Sequence, residues 1–408
     1  MRGMREVVGG RVGGGGTVLF LCHAFPRFRD DGVAPFVGTL AGALRASGFN
    51  VDVVAPHARG LRVSEDIGGV TVHRFRYAPE EWETLAYRGV MHDVLIKNPL
   101  YLPLFASFFA SYVLEAVKVS RDKKVNLIHA HWWIPGGVAA AVASKITGKP
   151  YVITCHGSDV FLVRKWKWLA PIMRWTLSNA SSVTVVSSYI KDELSKQGFL
   201  GAKVIPMPVE ERLLPKKRKD KRGAYRIVAS GRLVERKGFT YLLDALDALA
   251  KKRVNFEAEI IGDGPLRDSL VGYAKERNLN VSFTGAMPHS EAIKRLACAD
   301  IVVMPSITDW KGEAEGLGMV LAESQMMGIP VVGSSSGGIL DVVEDGVSGL
   351  LVPEKDSKAL AAALFRLIAD NKFAGKIAEG GRKSAVCRFS LEGVAKKFID
   401  VYGKGGLN

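Results

Sequence analysis

Short runs of aliphatic residues recur along the whole chain, and longer segments with a helical spacing of apolar positions separate them. Short continuous apolar runs bounded by turn residues are typical of strands that are covered on both faces, as in parallel sheets. The first half contains seven such runs and a predicted helix near 36–47. The runs lie at 17–22, 51–56, 70–75, 126–131, 150–156, 182–187 and 203–207.

The second half repeats this alternation of strand-like and helix-like segments. Its runs lie at 226–230, 258–262, 281–285, 300–305, 329–333 and 348–353, and three helical segments follow Asp356. The pattern predicts an α/β protein made of two doubly wound, Rossmann-like domains. Two such domains that face each other leave a cleft at the carboxyl ends of their strands, where ligands of open α/β sheets bind.

The domain limits follow from composition. Residues 1–16 are a Gly-rich N-terminus, 17–215 the first domain, 223–388 the second domain, and 389–408 a C-terminal helix predicted to pack back toward the first domain. Between the domains, 216–222 reads KKRKDKR after a Pro-bearing stretch, which is typical of an interdomain connection. This run is either a docking site for an anion or a solvated hinge.

Composition limits the class of protein. A hydrophobic fraction of 48% and a charged fraction of 24% predict a globular chain that buries a large core. The four cysteines lie far apart without a CxxC pair, so neither a disulfide framework nor a structural zinc site is expected, and we expect a cytoplasmic protein. The first apolar run is too short for a signal peptide, so secretion is not expected.

The net charge of +15 indicates an anionic partner, and its excess lies in the first half and in 216–222. The segment 161–168, FLVRKWKW, mixes aromatic and basic residues, and 98–114 is an uncharged stretch of 17 residues with two prolines. We interpret 98–114 as a buried or interfacial helix. Peripheral contact of the first domain with an anionic membrane is therefore one hypothesis, and packing of the same aromatics in the core is the other.

Two acids flank a pair of glycines in the second half, in EGLGMVLAE from Glu315 to Glu323. Eight residues correspond to 800° of ideal helix, so one helical face cannot present both acids. We expect Glu315 in a loop and Glu323 in a helix that begins at about Gly318. Gly316 and Gly318 allow close approach of a ligand, the helix start suits phosphate, and carboxylates accept hydrogen bonds from hydroxyl groups. On spacing alone, two unrelated surface acids fit equally well.

A basic turn follows the first strand of the second domain, with Gly231, Arg232 and Lys237. Arg and Lys together suit a diphosphate, although a solvated surface turn reads the same way. Gly262 and Gly264 form another tight turn at the same rim. The chain lacks both GxxxxGK[ST] and GxSxG, which disfavours P-loop phosphoryl transfer and serine hydrolysis.

In the first domain, His156 and Asp159 follow a strand at the predicted cleft. They either contact sugar hydroxyls or take part in proton transfer, or His156 merely caps a turn. His129 and His131 form a His-x-His pair, but no third metal ligand has suitable spacing.

Taken together, these residues resemble the GT-B-fold retaining glycosyltransferases of family 4. The resemblance runs from HAFPRF through HAHWWIPGG, TCHGSDV, SGRLVERKGF and IIGDGPLRDSL to PSITDWKGEAEGLGMVLAE and GGILDVVEDGVSGLLVP, and the acid pair matches the EX7E motif. The family implies a nucleotide-diphosphate sugar held by the second domain and an acceptor held by the first, without a metal or other cofactor.

The resemblance also assigns roles to residues. Arg232 and Lys237 bind the donor diphosphate, Glu323 the ribose and Glu315 the donor sugar, with His156 contacting that sugar from across the cleft. The catalytic group is then His156, Arg232, Lys237 and Glu315. The expected donor site further includes Gly231, Gly262, Gly264, Gly316, Leu317, Gly318 and Met319, and the acceptor side includes Gly32, His156 and Asp159.

The chain departs from the family pattern in two places. The glycine pair of the first loop is replaced by 28–35, FRDDGVAP, which leaves the mode of acceptor binding near Gly32 open. Asp341 stands where an acid of GG-I-x-E is usual.

The implied reaction is hexose transfer to an acceptor hydroxyl, on a sugar, glycolipid or polysaccharide, with retention of configuration and no protein nucleophile. The alternatives are a non-catalytic protein that binds polyanions or membranes on the same scaffold, and a GT-B epimerase or phosphorylase. A nucleic-acid partner is not expected.

Overall fold

A computed structural model of the chain describes residues 15–28, 30–87, 91, 94, 98–215 and 223–405. These residues form two sheets with helices on both faces, one sheet in each half of the chain. The basic connection predicted at 216–222 lies outside the described residues, as does most of the Gly-rich segment 1–16.

The first sheet has the strand order β3-β4-β2-β1-β5-β6-β7-β8. Its strands are β1 Thr17–Leu21, β2 Asn50–Pro56, β3 Ser64–Ile67, β4 Val70–Phe75, β5 Val125–His131, β6 Tyr151–Cys155, β7 Ser182–Val185 and β8 Lys203–Val204. Its helices are α1 Pro35–Ala46, α2 Leu102–Ser120, α3 Val138–Thr147, α4 Ser158–Lys165, α5 Ala170–Ser178 and α6 Ser188–Lys196. All neighbouring strands are parallel except β3 and β4.

The second sheet has the order β11-β10-β9-β12-β13-β14 and is parallel throughout. Its strands are β9 Tyr225–Ser230, β10 Phe256–Ile261, β11 Val281–Gly285, β12 Ile301–Met304, β13 Val331–Ser334 and β14 Leu350–Val352. Its helices are α7 Phe239–Lys251, α8 Arg267–Glu276, α9 His289–Leu296, α10 Met319–Met326, α11 Ser357–Ala369, α12 Asn371–Phe389 and α13 Leu391–Lys404.

The predicted fold class is confirmed, since every aliphatic run named above overlaps a strand of one of two sheets whose strand pairs are parallel except β3 with β4. The sequence analysis missed β3. This strand reads SEDI, lies at the edge of the sheet and pairs antiparallel with β4. An edge strand needs no cover on its outer side and so lacks the apolar run by which buried strands are found.

The uncharged stretch forms α2, which is exposed along one side and buried along the other. Phe108, Tyr112 and Ala116 are fully buried against the sheet, whereas Leu102 and Leu114 are exposed. By length and composition alone this helix could span a membrane, but a core helix of a soluble protein meets the same criterion. Its buried side makes it part of the first domain.

The last helix, α13, lies against the first domain although it follows the second in sequence. It packs on α1, and the Tyr402 hydroxyl lies 2.7 Å from Nδ1 of His129 in β5. Val209 also pairs with Ser390 just before α13. The chain thus crosses between the domains twice, once after β8 and once before α13.

Candidate active site

The charged centre of the cleft is an ion pair between Lys237 and Glu315. Lys237 ends the turn after β9, Glu315 lies in the loop after β12, and the distance from Nζ to Oε2 is 2.5 Å. Burial raises the pKa of the Glu315 carboxyl, but the charge of Lys237 and its hydrogen bond lower it by more, so the pKa lies below its ordinary value. Glu315 is therefore ionised at neutral pH, and the ammonium of Lys237 has two further donors for a ligand.

The turn that carries Lys237 requires glycine where neighbouring backbones come together. A Cβ at Gly262 would lie 2.0 Å from the carbonyl oxygen of Gly231, and one at Gly264 would lie 2.5 Å from that of Leu233. The aliphatic stem of Lys237 packs over Gly231. The loops after β9 and β10 therefore form one rim with the ion pair, as the sequence predicted for the glycines.

The second predicted acid, Glu323, lies one turn into α10. Glu315 precedes this helix in a loop, so the division predicted from the eight-residue spacing is confirmed. Glu323 is 8% exposed, and its Oε1 lies 2.9 Å from Nε2 of His289 at the start of α9. This hydrogen bond raises the pKa of His289, although burial opposes the shift.

The start of α10 offers backbone donors to a ligand. Gly318, with φ of 94°, is the residue before the helix. Among the residues that the structure describes, no acceptor takes the N–H groups of Gly316, Leu317, Gly318 or Met319. The Leu317 side chain is buried and lines a small cavity between the domains with Pro206 and Phe389. Only its backbone can therefore contribute to an anion site.

The two domains touch beside the acid loop. A Cβ at Gly316 would lie 2.9 Å from the carbonyl oxygen of His156, so only glycine allows this approach. Ser187 donates its hydroxyl hydrogen bond to the Gly316 carbonyl at 2.6 Å. The backbone N–H and hydroxyl of Ser188 both donate to Asp341. The predicted first-domain histidine thus lies next to the predicted donor loop.

Two family models cover most of the chain. One, described as a glycosyl transferase 4-like domain, matches residues 31–210, and the other, described as glycosyl transferases group 1, matches residues 210–384. The chain belongs to the GT-B glycosyltransferases of the family 4 type. The resemblance noted from the motifs is confirmed.

Three similar proteins match this glycosyltransferase over most of both chains. An uncharacterized glycosyltransferase of Methanocaldococcus jannaschii is 26% identical over 80% of this chain and 92% of its own. Sucrose-phosphate synthase of Thermosynechococcus elongatus has a TM-score of 0.77 at 22% identity, over 95% and 98% of the two chains. Anabaena HepE, solved with UDP-glucose, has a TM-score of 0.69 at 20% identity, over 95% and 99%. At these identities, the two structural likenesses concern the fold alone.

On the first-domain side of this glycosyltransferase, His156 is partly buried and surrounded by rings. The centroids of Trp132 and Phe36 lie 4.5 and 5.2 Å from its own. Its Nε2 lies 3.1 Å from Nδ1 of His131. Burial lowers the pKa of His156, so the ring is neutral near pH 7.

Asp159 lies inside the first domain and not on the cleft. It is 2% exposed, and its carboxylate accepts hydrogen bonds from the backbone N–H groups of Trp133, His156 and Gly157. We predicted this residue on the acceptor side together with Gly32. In the structure its carboxylate is occupied by backbone donors and holds the turn that carries His156.

Gly32 is exposed in the loop after β1, and ion pairing holds the loop around it. Arg27 and Asp31 form a short ion pair with 2.6 Å between Nε and Oδ2. Asp30 accepts a hydrogen bond from the hydroxyl of Ser290 in α9 of the other domain. The loop that departs from the family pattern therefore reaches the second domain beside His289.

Arg232 differs from Lys237 in that it is exposed, and its guanidinium pairs with no described residue. His129 and His131 are both fully buried, and the described part of the chain contains no cluster of three groups that could hold a metal ion.

The sequence analysis missed His289, Arg27 and Asp31. Motif spacing could not find His289, because it lies 34 residues from Glu323 and meets it only in the folded chain.

Proposed function

We propose that this glycosyltransferase moves a hexose from a nucleotide-diphosphate sugar to an acceptor hydroxyl with retention of configuration and without a metal. The observation that carries the proposal is the Lys237–Glu315 pair, set beside the glycine rim of the second domain and next to His156 of the first. The related fold of HepE was solved with UDP-glucose, which makes this sugar nucleotide the first donor to test.

The donor diphosphate would lie between the basic turn and the start of α10. The exposed guanidinium of Arg232 supplies a bidentate donor, and Lys237 supplies the N–H groups that Glu315 leaves open. The backbone N–H groups at residues 316–319 and the positive end of α10 add further stabilisation. Together these groups neutralise the leaving diphosphate, a task for which other enzymes use a divalent cation.

The two acids would hold hydroxyl groups of the donor. Glu323 accepts from the ribose and Glu315 from the sugar, because ionised carboxylates only accept hydrogen bonds. In the reaction, the bond between the anomeric carbon and the diphosphate oxygen breaks, and its electron pair leaves with the phosphate. The acceptor oxygen bonds to the same face of that carbon, and its proton passes to the departing phosphate. The protein positions the reactants and stabilises the charges that develop.

The direct experiment incubates the enzyme with UDP-glucose, GDP-mannose and related donors and follows each by proton NMR. We expect one donor to be consumed, with the sugar leaving in the anomeric configuration that it had in the donor and at a rate that EDTA does not change. Inversion of configuration refutes the retaining mechanism. Loss of activity in EDTA that returns with added Mg²⁺ refutes metal independence.

We also propose that the first domain docks on the anionic cytoplasmic face of a membrane. The crossovers β4 to β5, β5 to β6 and β6 to β7 all run in the same direction along the sheet, and right-handed connections therefore place α2, α3 and α5 on one face. This layer exposes apolar side chains, among them Leu114 at 69%, Ile146 at 54% and Trp175 at 44%. We call it the helical face.

Charge favours a lipid surface as the partner of the helical face. Residues 98–180 contain ten Lys or Arg and three Asp or Glu, one of which is the buried Asp159. Exposed apolar residues among basic ones suit an interface with anionic lipids, and the cytoplasmic leaflet carries such lipids. An acceptor carried by a lipid would then meet the cleft at the membrane surface.

Co-sedimentation with phosphatidylglycerol vesicles tests the helical face. We expect the wild-type protein to sediment at low salt and Leu114→Glu to remain in solution. Val386→Glu on α12 introduces the same charge at an exposed apolar site of the second domain, and it should sediment like the wild type. Equal sedimentation of Leu114→Glu and the wild type, or no sedimentation of the wild type, overturns the proposal.

A further inference from the structure

The ring of His156 has a single protein neighbour within hydrogen-bond distance, among the residues that the structure describes. This neighbour is His131, the last residue of β5, which is fully buried. The rings are stacked with centroids 5.3 Å apart, and Nδ1 of His131 lies 3.1 Å from Nε2 of His156. Phe20 covers His131 at a centroid distance of 4.9 Å.

Only one proton can lie between these two nitrogens. Burial lowers the pKa of both rings, so both are neutral near pH 7. A neutral imidazole carries a hydrogen on one nitrogen and a lone pair on the other. Either His131 donates from Nδ1, or His156 donates from Nε2.

The other nitrogen of His131 decides between these two arrangements. Nε2 of His131 is buried and contacts no hydrogen-bonding partner among the described residues. If His156 were the donor, His131 would carry its hydrogen on Nε2, and a buried N–H group would have no acceptor. Orphaned buried N–H groups are rarer in proteins than unsatisfied acceptors. The favoured arrangement therefore leaves a lone pair on Nε2 of His131 and a hydrogen on its Nδ1.

We propose that His131 is a positioning residue that donates from Nδ1 to Nε2 of His156 and thereby fixes the tautomer of His156. His156 then carries its own hydrogen on Nδ1, the ring nitrogen that no described residue occupies. Asp159 fixes the backbone of the same residue by accepting from its N–H at 3.1 Å. Both the place and the polarity of the ring are thus set before a ligand binds.

The fixed tautomer gives the cleft one N–H donor and removes Nε2 as a proton acceptor. The next consequence rests on the proposed function. In that function, a hydroxyl oxygen of the donor sugar accepts a hydrogen bond from Nδ1 of His156. A change at His131 should therefore weaken binding of the sugar and leave binding of the nucleotide unchanged. A purely structural role for His131 would instead change both affinities together.

The tautomers can be read directly by 15N NMR of the wild-type protein labelled at histidine. We expect His131 and His156 both to show a protonated Nδ1 and a bare Nε2 near pH 7. A hydrogen on Nε2 of either ring overturns the proposal. This readout needs no ligand and no variant, so it stands even if the proposed transfer reaction is wrong.

Three variants test the consequence for binding. His131→Asn keeps an amide donor near the position of Nδ1, His131→Gln moves it toward Nε2, and His131→Phe removes it at similar size. For calorimetry with UDP and UDP-glucose, we expect the preference for UDP-glucose over UDP to fall roughly 3- to 10-fold in His131→Phe and His131→Gln, and to survive in His131→Asn. In NMR, His156 should become a mixture of tautomers in His131→Phe.

Equal loss of preference in all three variants, or none in any of them, overturns the role of His131. If the wild-type protein binds neither UDP nor UDP-glucose, the calorimetric arm is repeated with GDP and GDP-mannose. Failure of every such ligand contradicts the proposed function, whereas the NMR result still decides the tautomer. Thermal unfolding identifies any variant that does not fold, and for such a variant the wild-type spectrum carries the test.

Discussion

The two sides of the cleft differ in the side chains that they offer to a ligand. The second domain presents the ion pair of Lys237 with Glu315 and the hydrogen bond of His289 with Glu323. The first domain presents neutral, buried rings around His156, held by Asp159 from behind. A diphosphate requires charge, while a sugar requires fixed hydrogen bonds in a surface of defined shape. Variants on the second side should therefore change ligand affinity and turnover, whereas loss of the Asp159 carboxylate behind the first side should change stability.

The largest effect is expected at Lys237. Lys237→Ala removes a cation from the leaving diphosphate and leaves the carboxylate of Glu315 unpaired. We expect kcat/KM, followed by release of nucleoside diphosphate, to fall about 100- to 1000-fold, as for loss of one charge-stabilising donor elsewhere. Lys251→Ala, which breaks an exposed pair with Asp247 in α7, is the control and should match the wild type. An equal loss in both variants would contradict the role of Lys237.

Asp159→Asn should give the largest effect on folding. The buried carboxylate accepts from three backbone N–H groups, and an amide can satisfy fewer of them. The free energy of unfolding in urea should fall by about 1–3 kcal/mol. Affinity for nucleoside diphosphate should be unchanged at temperatures where the variant is folded. A loss of that affinity without a loss of stability would place Asp159 in the cleft.

A smaller effect is expected where the two sides meet. Ser188→Ala removes a hydroxyl that donates to Asp341, although the backbone N–H of residue 188 still donates to it. One hydrogen bond is worth roughly 1 kcal/mol, so KM for the donor sugar nucleotide should rise about 2- to 5-fold. Ser195→Ala, whose hydroxyl donates only within α6, is the matched control. A rise in KM that is equal in both variants would contradict a contribution of this contact to binding of the donor.

The smallest effect is a pH dependence at His289. Its hydrogen bond to Glu323 raises its pKa in the folded protein. A raised pKa gives stability that is full below about pH 6.5, the unfolded value, and that is lost as the pH rises through the folded value. His289→Gln should therefore narrow the difference in Tm between pH 5.5 and pH 8.5. If the difference in Tm between the two pH values is unchanged, the hydrogen bond between His289 and Glu323 does not contribute to the pH dependence of stability.

Sequence reasoning found what local pattern encodes. Buried strands appear as Val and Ile runs, and the spacing of Glu315 and Glu323 places one in a loop and the other in α10. The edge strand β3 has no such pattern. The hydrogen-bond partners of the site residues could not be predicted from sequence for another reason. His131 and His156 come into contact only when β5 and β6 lie side by side. Spacing identified the groups, and tertiary contacts decide their protonation, orientation and partners.

The inward position of Asp159 is an instructive case. The motif around it places a carboxylate next to a candidate histidine at the end of a strand, which resembles a ligand contact in sequence. In the fold, the backbone N–H groups of Trp133, His156 and Gly157 have no other acceptor among the described residues, and the acid satisfies them. A motif does not show which backbone N–H groups lack an acceptor, because that depends on how deeply the fold buries the turn.

The central claim, that the charged side of the cleft holds a nucleoside diphosphate, is tested most directly by calorimetric titration of three proteins with UDP and with GDP. The wild type should bind one of them. Arg232→Ala and Glu323→Ala should each bind it about 10- to 150-fold more weakly, and the exposed Arg232 should be replaceable at an unchanged Tm. Wild-type affinity in both variants would contradict the account.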